Sequence, residues 1–243
     1  MGEEKLIRWL LGGELDDFSL ETMAMRARIK RLSLEEAEDI SEARKILIPP
    51  GEPWDVDGFR GISIDTYRKL GAIKCDRGFY ANRIVFPIYL KGELIGVDAR
   101  ALGDQKPKYI RNKGSSCSEN WLFPFDVVAE MNPSYVILAE GAFDAINSYD
   151  KGFPALSIFG CHNWSMSKLR MVLNLGVKEV ILGTDNDLAG KKAEQEIGAM
   201  LQEWIPTYSL DTSKFGEGRD LGDLTRDEIQ YAVDHKVRFK KSM

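Results

Sequence analysis

Short apolar runs separated by amphipathic stretches dominate the second half of the chain. Tyr135-Val136-Ile137-Leu138-Ala139 and Glu179-Val180-Ile181-Leu182-Gly183 have the character of buried strands. Around them the pattern predicts strands at 135–139, 155–158, 179–183 and 206–210, alternating with helices at 142–150, 166–175, 189–203 and 226–235. Such alternation predicts an α/β fold, a parallel sheet with helices on both faces.

The first half has a different rhythm. Residues 1 to about 48 predict helices: Ser19 precedes Leu20-Glu21-Thr22-Met23, and Ser33-Leu34-Glu35-Glu36 has a capping-box pattern. Pro49-Pro50-Gly51-Glu52-Pro53 breaks that pattern. A short helix follows, with Ser63 as cap and Gly71 as stop. Arg83 to Leu90 and Glu93 to Arg100, joined by Lys91-Gly92, predict a hairpin, with Pro87 marking an edge or a bulge. The expected organisation is a helical region at 1–50, a mixed α+β subdomain at 51–133 and the α/β domain at 134–243.

Composition narrows the function classes. The 243 residues carry a net charge of −5, so any nucleic-acid contact must come from a local basic surface. One such surface lies between Asn82 and Lys113: Arg83, Lys91, Arg100, Lys106, Lys108, Arg111 and Lys113 face only Glu93, Asp98 and Asp104 in sequence. The cysteines Cys75, Cys117 and Cys161 are scattered, which suits a reducing compartment. No Cys-x-x-Cys occurs, so no zinc is expected in this chain. The charged start (Glu3, Glu4, Lys5) and the lack of a run of about 20 apolar residues predict a cytoplasmic protein with no membrane partner. No Walker-type Gly-x-x-x-x-Gly-Lys-Ser/Thr predicts a motor either.

The candidate chemistry sits where the two apolar runs end. The first delivers Glu140 and Gly141, with Asp144 a helical turn later; the second delivers Asp185, Asp187 and Gly190. Ligands of open α/β sheets gather at the C-terminal ends of strands. Carboxylates brought that close repel unless a cation neutralises them, which reads as a magnesium site. Asp144 early in a helix also has a local electrostatic reason for its position. Cys161-His162 are sequence neighbours and make a poor metal pair, and His235 is explained by a helix C-terminus.

Glu140-Gly141-x-x-Asp144 followed by Asp185-x-Asp187-x-x-Gly190 resembles the TOPRIM domain shared by DnaG-type primases, topoisomerases and some nucleases. The likeness implies a Rossmann-like sheet over about 134–235. Arg83 to Pro87, Gly96, Arg100 and Pro107-Lys108-Tyr109 resemble the basic subdomain that precedes it in DnaG-type and phage primases. Asp220-Leu221-Gly222-Asp223-Leu224 resembles the acidic motif that closes the primase site, with Leu221 where proline is usual. Asp223 reads equally well as a turn residue.

The resemblance implies a DNA primase catalytic core making short RNA primers on single-stranded DNA from ribonucleoside triphosphates, in phage DNA replication and so in the bacterial host's cytoplasm. It assigns Asp185 and Asp187 as principal ligands of Mg²⁺, or Mn²⁺, with Asp220 as helper and Glu140 as ligand or base. Arg83, Arg100, Lys108, Arg111 and Lys113 would hold template backbone or triphosphate. In family members a zinc module precedes this core, so a separate zinc-binding module or a replicative helicase is a candidate partner. Two other readings use the same residues: a metal-dependent nuclease, and a non-catalytic TOPRIM binding or scaffold protein.

Overall fold

Tyr135–Ala139 (β6) and Glu179–Gly183 (β8) lie side by side at the centre of a five-stranded sheet, in parallel register that pairs Ala139 with Gly183. The structure is a computed structural model that describes residues 46–111, 120–216 and 218–241. The helices read in residues 1–48, and Lys113, therefore lie outside the described residues, apart from 46–48. All described residues belong to one compact unit.

Ala155–Ser157 (β7) pairs with the outer side of β6, and Thr207–Ser209 (β9) with β8. These four strands are parallel; Val237–Arg238 (β10) adds an antiparallel edge that the sequence pattern did not signal. Side-chain alternation assigns the two faces. Val136, Leu138, Val180 and Leu182 bury against Met166–Asn174 (α4) and Leu188–Leu201 (α5). Ile137, Ala139 and Ile181 bury against Ala142–Asp150 (α3) and Arg226–Asp234 (α6). After β6 the chain crosses to β7, then returns to β8 on the opposite side of β6, which opens a crevice at the C-terminal ends of β6 and β8.

The preceding residues build a second, antiparallel sheet: Glu52–Pro53 (β1), Ile73–Cys75 (β2), Arg83–Leu90 (β3), Glu93–Ala101 (β4) and Tyr109–Arg111 (β5), in that spatial order. Lys91 and Gly92 both take positive φ, 53° and 80°, the two-residue turn that matches strand twist. Pro87 sits in an interior strand, yet β2 pairs only with Arg83 to Val85, so its missing N–H falls beyond the end of that partner. A register shift follows between Ile88 and Tyr89.

Ile64–Lys69 (α1) begins at Ser63, whose hydroxyl accepts the Thr66 N–H, and stops at Gly71 with φ 67°. The loop before Phe125–Glu130 (α2) inserts Trp121 against Gly96, where any β-carbon would lie 2.1 Å from the indole. The two sheets meet in one core: Trp54, Tyr67, Ile84 and Phe86 from the first pack with Phe143, Ile146 and Phe159 from the second. No described helix is long and apolar enough to cross a membrane.

Candidate active site

A cleft of about 300 Å³ opens where this shared core reaches the C-terminal ends of β6 and β8. One wall is acidic: Glu140, Asp144, Asp185 and Asp220. The facing wall is basic: Arg60, Arg100, Lys108 and Arg111.

The acids owe their closeness to register. Ala139 and Gly183 are paired, so Glu140 and Asp185 emerge from adjacent parallel strands. Asp144 returns from the first turn of α3, where its Oδ2 accepts the Gly141 N–H at 2.8 Å. It fits only because two glycines make room: a β-carbon at Gly141 would stand 2.6 Å from Oδ2, and one at Gly222 2.7 Å from Oδ1. Asp220 begins the 3₁₀ turn Leu221–Asp223 and accepts the Gly222 N–H at 2.9 Å. Leu221, the departure from the usual proline, is buried under β8 against Gly183.

Electrostatics follows from that crowding. Burial first, then the charges of Glu140, Asp220 and Asp187, push Asp185 up to about 6. Burial together with Asp220 and Asp185 raises Asp144 as well. Glu140 Oε2 is buried without a hydrogen-bond partner among the described residues. An orphaned carboxylate oxygen beside two carboxylates with raised pKa fits a divalent cation. Among the described residues, no group of three His, Cys, Asp or Glu side chains forms a ready ion cage. One or two carboxylates, with water or phosphate completing the shell, is the mode Mg²⁺ favours.

Asp187 and Asp223 stand outside the cleft wall. Asp187 is exposed and caps α5, its Oδ1 accepting the Gly190 N–H at 2.7 Å. Gly190 lies in the first turn of α5 with its Cα against the Asp185 backbone; a β-carbon would meet the Asp185 carbonyl oxygen at 2.1 Å. Asp223 is exposed and ends its turn, its carbonyl accepting from Arg219 at 2.7 Å.

On the basic wall, Arg100 lies over the Phe143 ring at 4.9 Å and donates to the Tyr109 hydroxyl. Arg111 forms an ion pair with Asp98 at 3.1 Å and stacks on Phe159 at 5.0 Å. Lys108 is exposed at the opening. Arg83 does not belong with them. It is 3% exposed, and its guanidinium donates to the carbonyls of Pro107 at 2.7 Å and Lys108 at 3.2 Å. Those two bonds tie it to the loop that carries Lys108, and it does not line the cleft where a phosphate contact was expected.

Arg60, Asp98, Phe143 and Phe159 line the cleft without having been singled out from the sequence as site residues. Arg60 takes φ 53°, ψ 31° and lays its guanidinium 5.1 Å over Phe143. Flanking Gly58 and Gly61 were its one local signal of unusual backbone.

Fold and acids first define a class: residues 137–224 match the Toprim-like family. The DNA primase of Chlamydia muridarum is 28% identical over 203 residues, covering 74% of this chain and 33% of that protein. A DnaG catalytic core shares the fold with a TM-score of 0.64 and 16% identity, covering 74% of this chain and 70% of the other. A DnaG primase catalytic domain bound to single-stranded DNA is similar at a TM-score of 0.59 and 19% identity, over 69% of this chain and 56% of the other. In sequence relatives and in fold, the chain is similar to DnaG-type primase catalytic cores. It spans about a third of the length of the curated relative it matches over most of its residues.

Proposed function

We propose that this chain carries the catalytic centre of a DNA primase, extending RNA on a single-stranded DNA template by nucleotidyl transfer. The observation that carries the reading is the single cleft in which acids from the ends of two parallel strands face arginines from an antiparallel sheet. A nucleoside triphosphate needs both walls, one for its cation and one for its phosphates.

In this reading Arg60, Arg100, Lys108 and Arg111 hold phosphate oxygens of triphosphate or template. Phe143 stiffens two of them from beneath, since Arg60 and Arg100 lie over its ring. Glu140, Asp185 and Asp220 would hold the divalent cation, Mg²⁺ by preference, with Asp187 at the rim. The bound cation would supply neutralisation of phosphate charge and a more acidic attacking hydroxyl. The 3′-hydroxyl oxygen bonds to the α-phosphorus as the bond to pyrophosphate breaks. Glu140, whose Oε2 has no hydrogen-bond partner among the described residues, would serve either as a ligand of that cation or as the base that takes the hydroxyl proton.

The test is primer synthesis on mixed-sequence single-stranded DNA with labelled ribonucleotides and Mg²⁺ or Mn²⁺. Short RNA is expected from the natural chain, and Asp185→Asn or Glu140→Gln should each reduce it at least about a hundredfold. Cation-dependent trimming of the DNA without RNA product would replace the polymerase reading with a nuclease.

A further inference from the structure

Asp98 and Arg111 are direct partners across the β4–β5 ladder. They form a charge pair at a place where only one of the two is buried. The Asp98 side chain is 2% exposed, while that of Arg111 is 32% exposed and faces the cleft. Asp98 Oδ1 accepts from Arg111 Nε, the atom on the stem side of the guanidinium. Arg111 Nη2 donates to the Phe159 carbonyl at 3.4 Å, across the junction between the two sheets. Nη1 has no partner among the described residues.

Three further observations fix this arrangement. Phe159 takes φ 60°, a left-handed conformation that is strained for an aromatic residue, and its carbonyl also accepts from Asn163 Nδ2. Its ring lies under the Arg111 guanidinium at 5.0 Å. The guanidinium is therefore clamped at its stem, on one face and at one terminal nitrogen. What remains is the Nη1 N–H₂ group, on a side chain that lines the same cleft as Glu140 and Asp185.

Building on the primase reading, we propose that Asp98 is a positioning residue that locks Arg111 so that its Nη1 binds the triphosphate of the incoming ribonucleotide rather than the template backbone. The geometry favours the triphosphate. A template track needs cations strung along an open surface, whereas this guanidinium is held in the cleft that the acids also line, where a cation-bound triphosphate would lie. Asp98 also keeps Arg111 from collapsing onto those carboxylates, because Nε is already engaged.

The experiment compares the full natural chain with Asp98→Asn, Asp98→Ala, Arg111→Ala and the double variant Asp98→Ala/Arg111→Ala. Ribonucleoside triphosphate binding is measured by calorimetry in Mg²⁺, and single-stranded DNA binding by fluorescence anisotropy. Where primer synthesis is detected, KM and kcat are measured too. Asp98→Ala should weaken triphosphate binding and raise KM about tenfold, the loss of one charge-assisted contact, with a much smaller change in kcat. DNA affinity should change less than about twofold. The double variant should be no worse than Arg111→Ala, because Asp98 acts only through that arginine. Asp98→Asn keeps an acceptor for Nε and should recover part of the loss, with melting temperature checked for every variant. Additive effects of the two alanines, equal losses for DNA and triphosphate, or an Asp98→Ala protein that binds triphosphate like the natural chain would each overturn the proposal. Failure of the primase reading is distinguishable, since it shows as triphosphate binding without RNA product in the unsubstituted chain. If that chain binds no triphosphate, both readings fall.

Discussion

Asp185 holds its proton to about pH 6 because burial and three neighbouring carboxylates oppose its charge. The sign of the linked stability follows. The folded protein binds this proton more tightly than the unfolded chain, whose aspartates titrate near 3.9. Stability from this group therefore falls as pH rises from about 4 to about 6, and the cost persists above that window. A divalent cation offsets the same repulsion, but only once the carboxylates are ionised. Thermal unfolding with and without Mg²⁺ should thus show a larger cation-induced rise in Tm at pH 8 than at pH 5. Asp185→Asn should raise the cation-free Tm at pH 8 and shrink the cation response. A cation response of equal size at both pH values would count against these acids as its site. Glu140 and Asp185 were readable from the sequence because each closely follows an apolar run, Glu140 at once and Asp185 after Thr184. Asp144 was ambiguous there, and what resolves its place is Gly222, 78 positions later, whose lack of a side chain admits it.

At the scale of elements, one aspartate joins two helices that belong to different sheets. Asp150 at the end of α3 accepts from the Ser63 N–H at 3.1 Å, the Ser63 hydroxyl at 2.5 Å and the Thr66 hydroxyl at 2.7 Å. Ser63 is the cap of α1, and the turn just before it carries Arg60 into the cleft. Replacing Asp150 by alanine leaves three donors without their acceptor. The expected cost is about 1–3 kcal/mol, read as a lower urea midpoint at unchanged m-value. Asp150→Asn should lose less, and a midpoint shift under about 0.3 kcal/mol for alanine would show that water replaces the aspartate at no cost. Helices and strands of the α/β half were legible because each has its own periodicity. The hairpin was legible from Lys91-Gly92. Long-range joints such as Asp150 to Ser63, or Arg83 to the Pro107 carbonyl, leave no periodic trace, so Arg83 looked like one more surface cation. The β10 edge was missed for a related reason: two exposed residues, Val237 and Arg238, carry no apolar alternation to announce a strand.

Over the whole molecule, the cleft exists because the two sheets share a core instead of folding as separate domains. Phe143, on the first turn of α3, is 3% exposed and packs edge-on to Phe59 and Phe86 of the other half. Its ring also lies beneath Arg60 and Arg100. A core assembled this way predicts one cooperative transition for residues of both sheets, with calorimetric and van't Hoff enthalpies in agreement. Phe143→Ala should lower that single transition by about 3–5 kcal/mol, the usual cost of emptying an aromatic site in a packed interior. Independent domains would respond differently: the substitution would split the transition and leave the antiparallel sheet melting at its original temperature. Phe143→Leu separates packing from chemistry, because leucine refills much of the volume but offers no π face. It should recover most of the stability, to within about 1.5 kcal/mol of the natural chain. Triphosphate affinity should stay reduced, since the two arginines lose the cation–π contact that holds them over the cleft. Full recovery of both properties in Phe143→Leu would mean that the ring acts only as filler. Recovery of stability alone would show that a core residue from the α/β half sets the geometry of the basic wall.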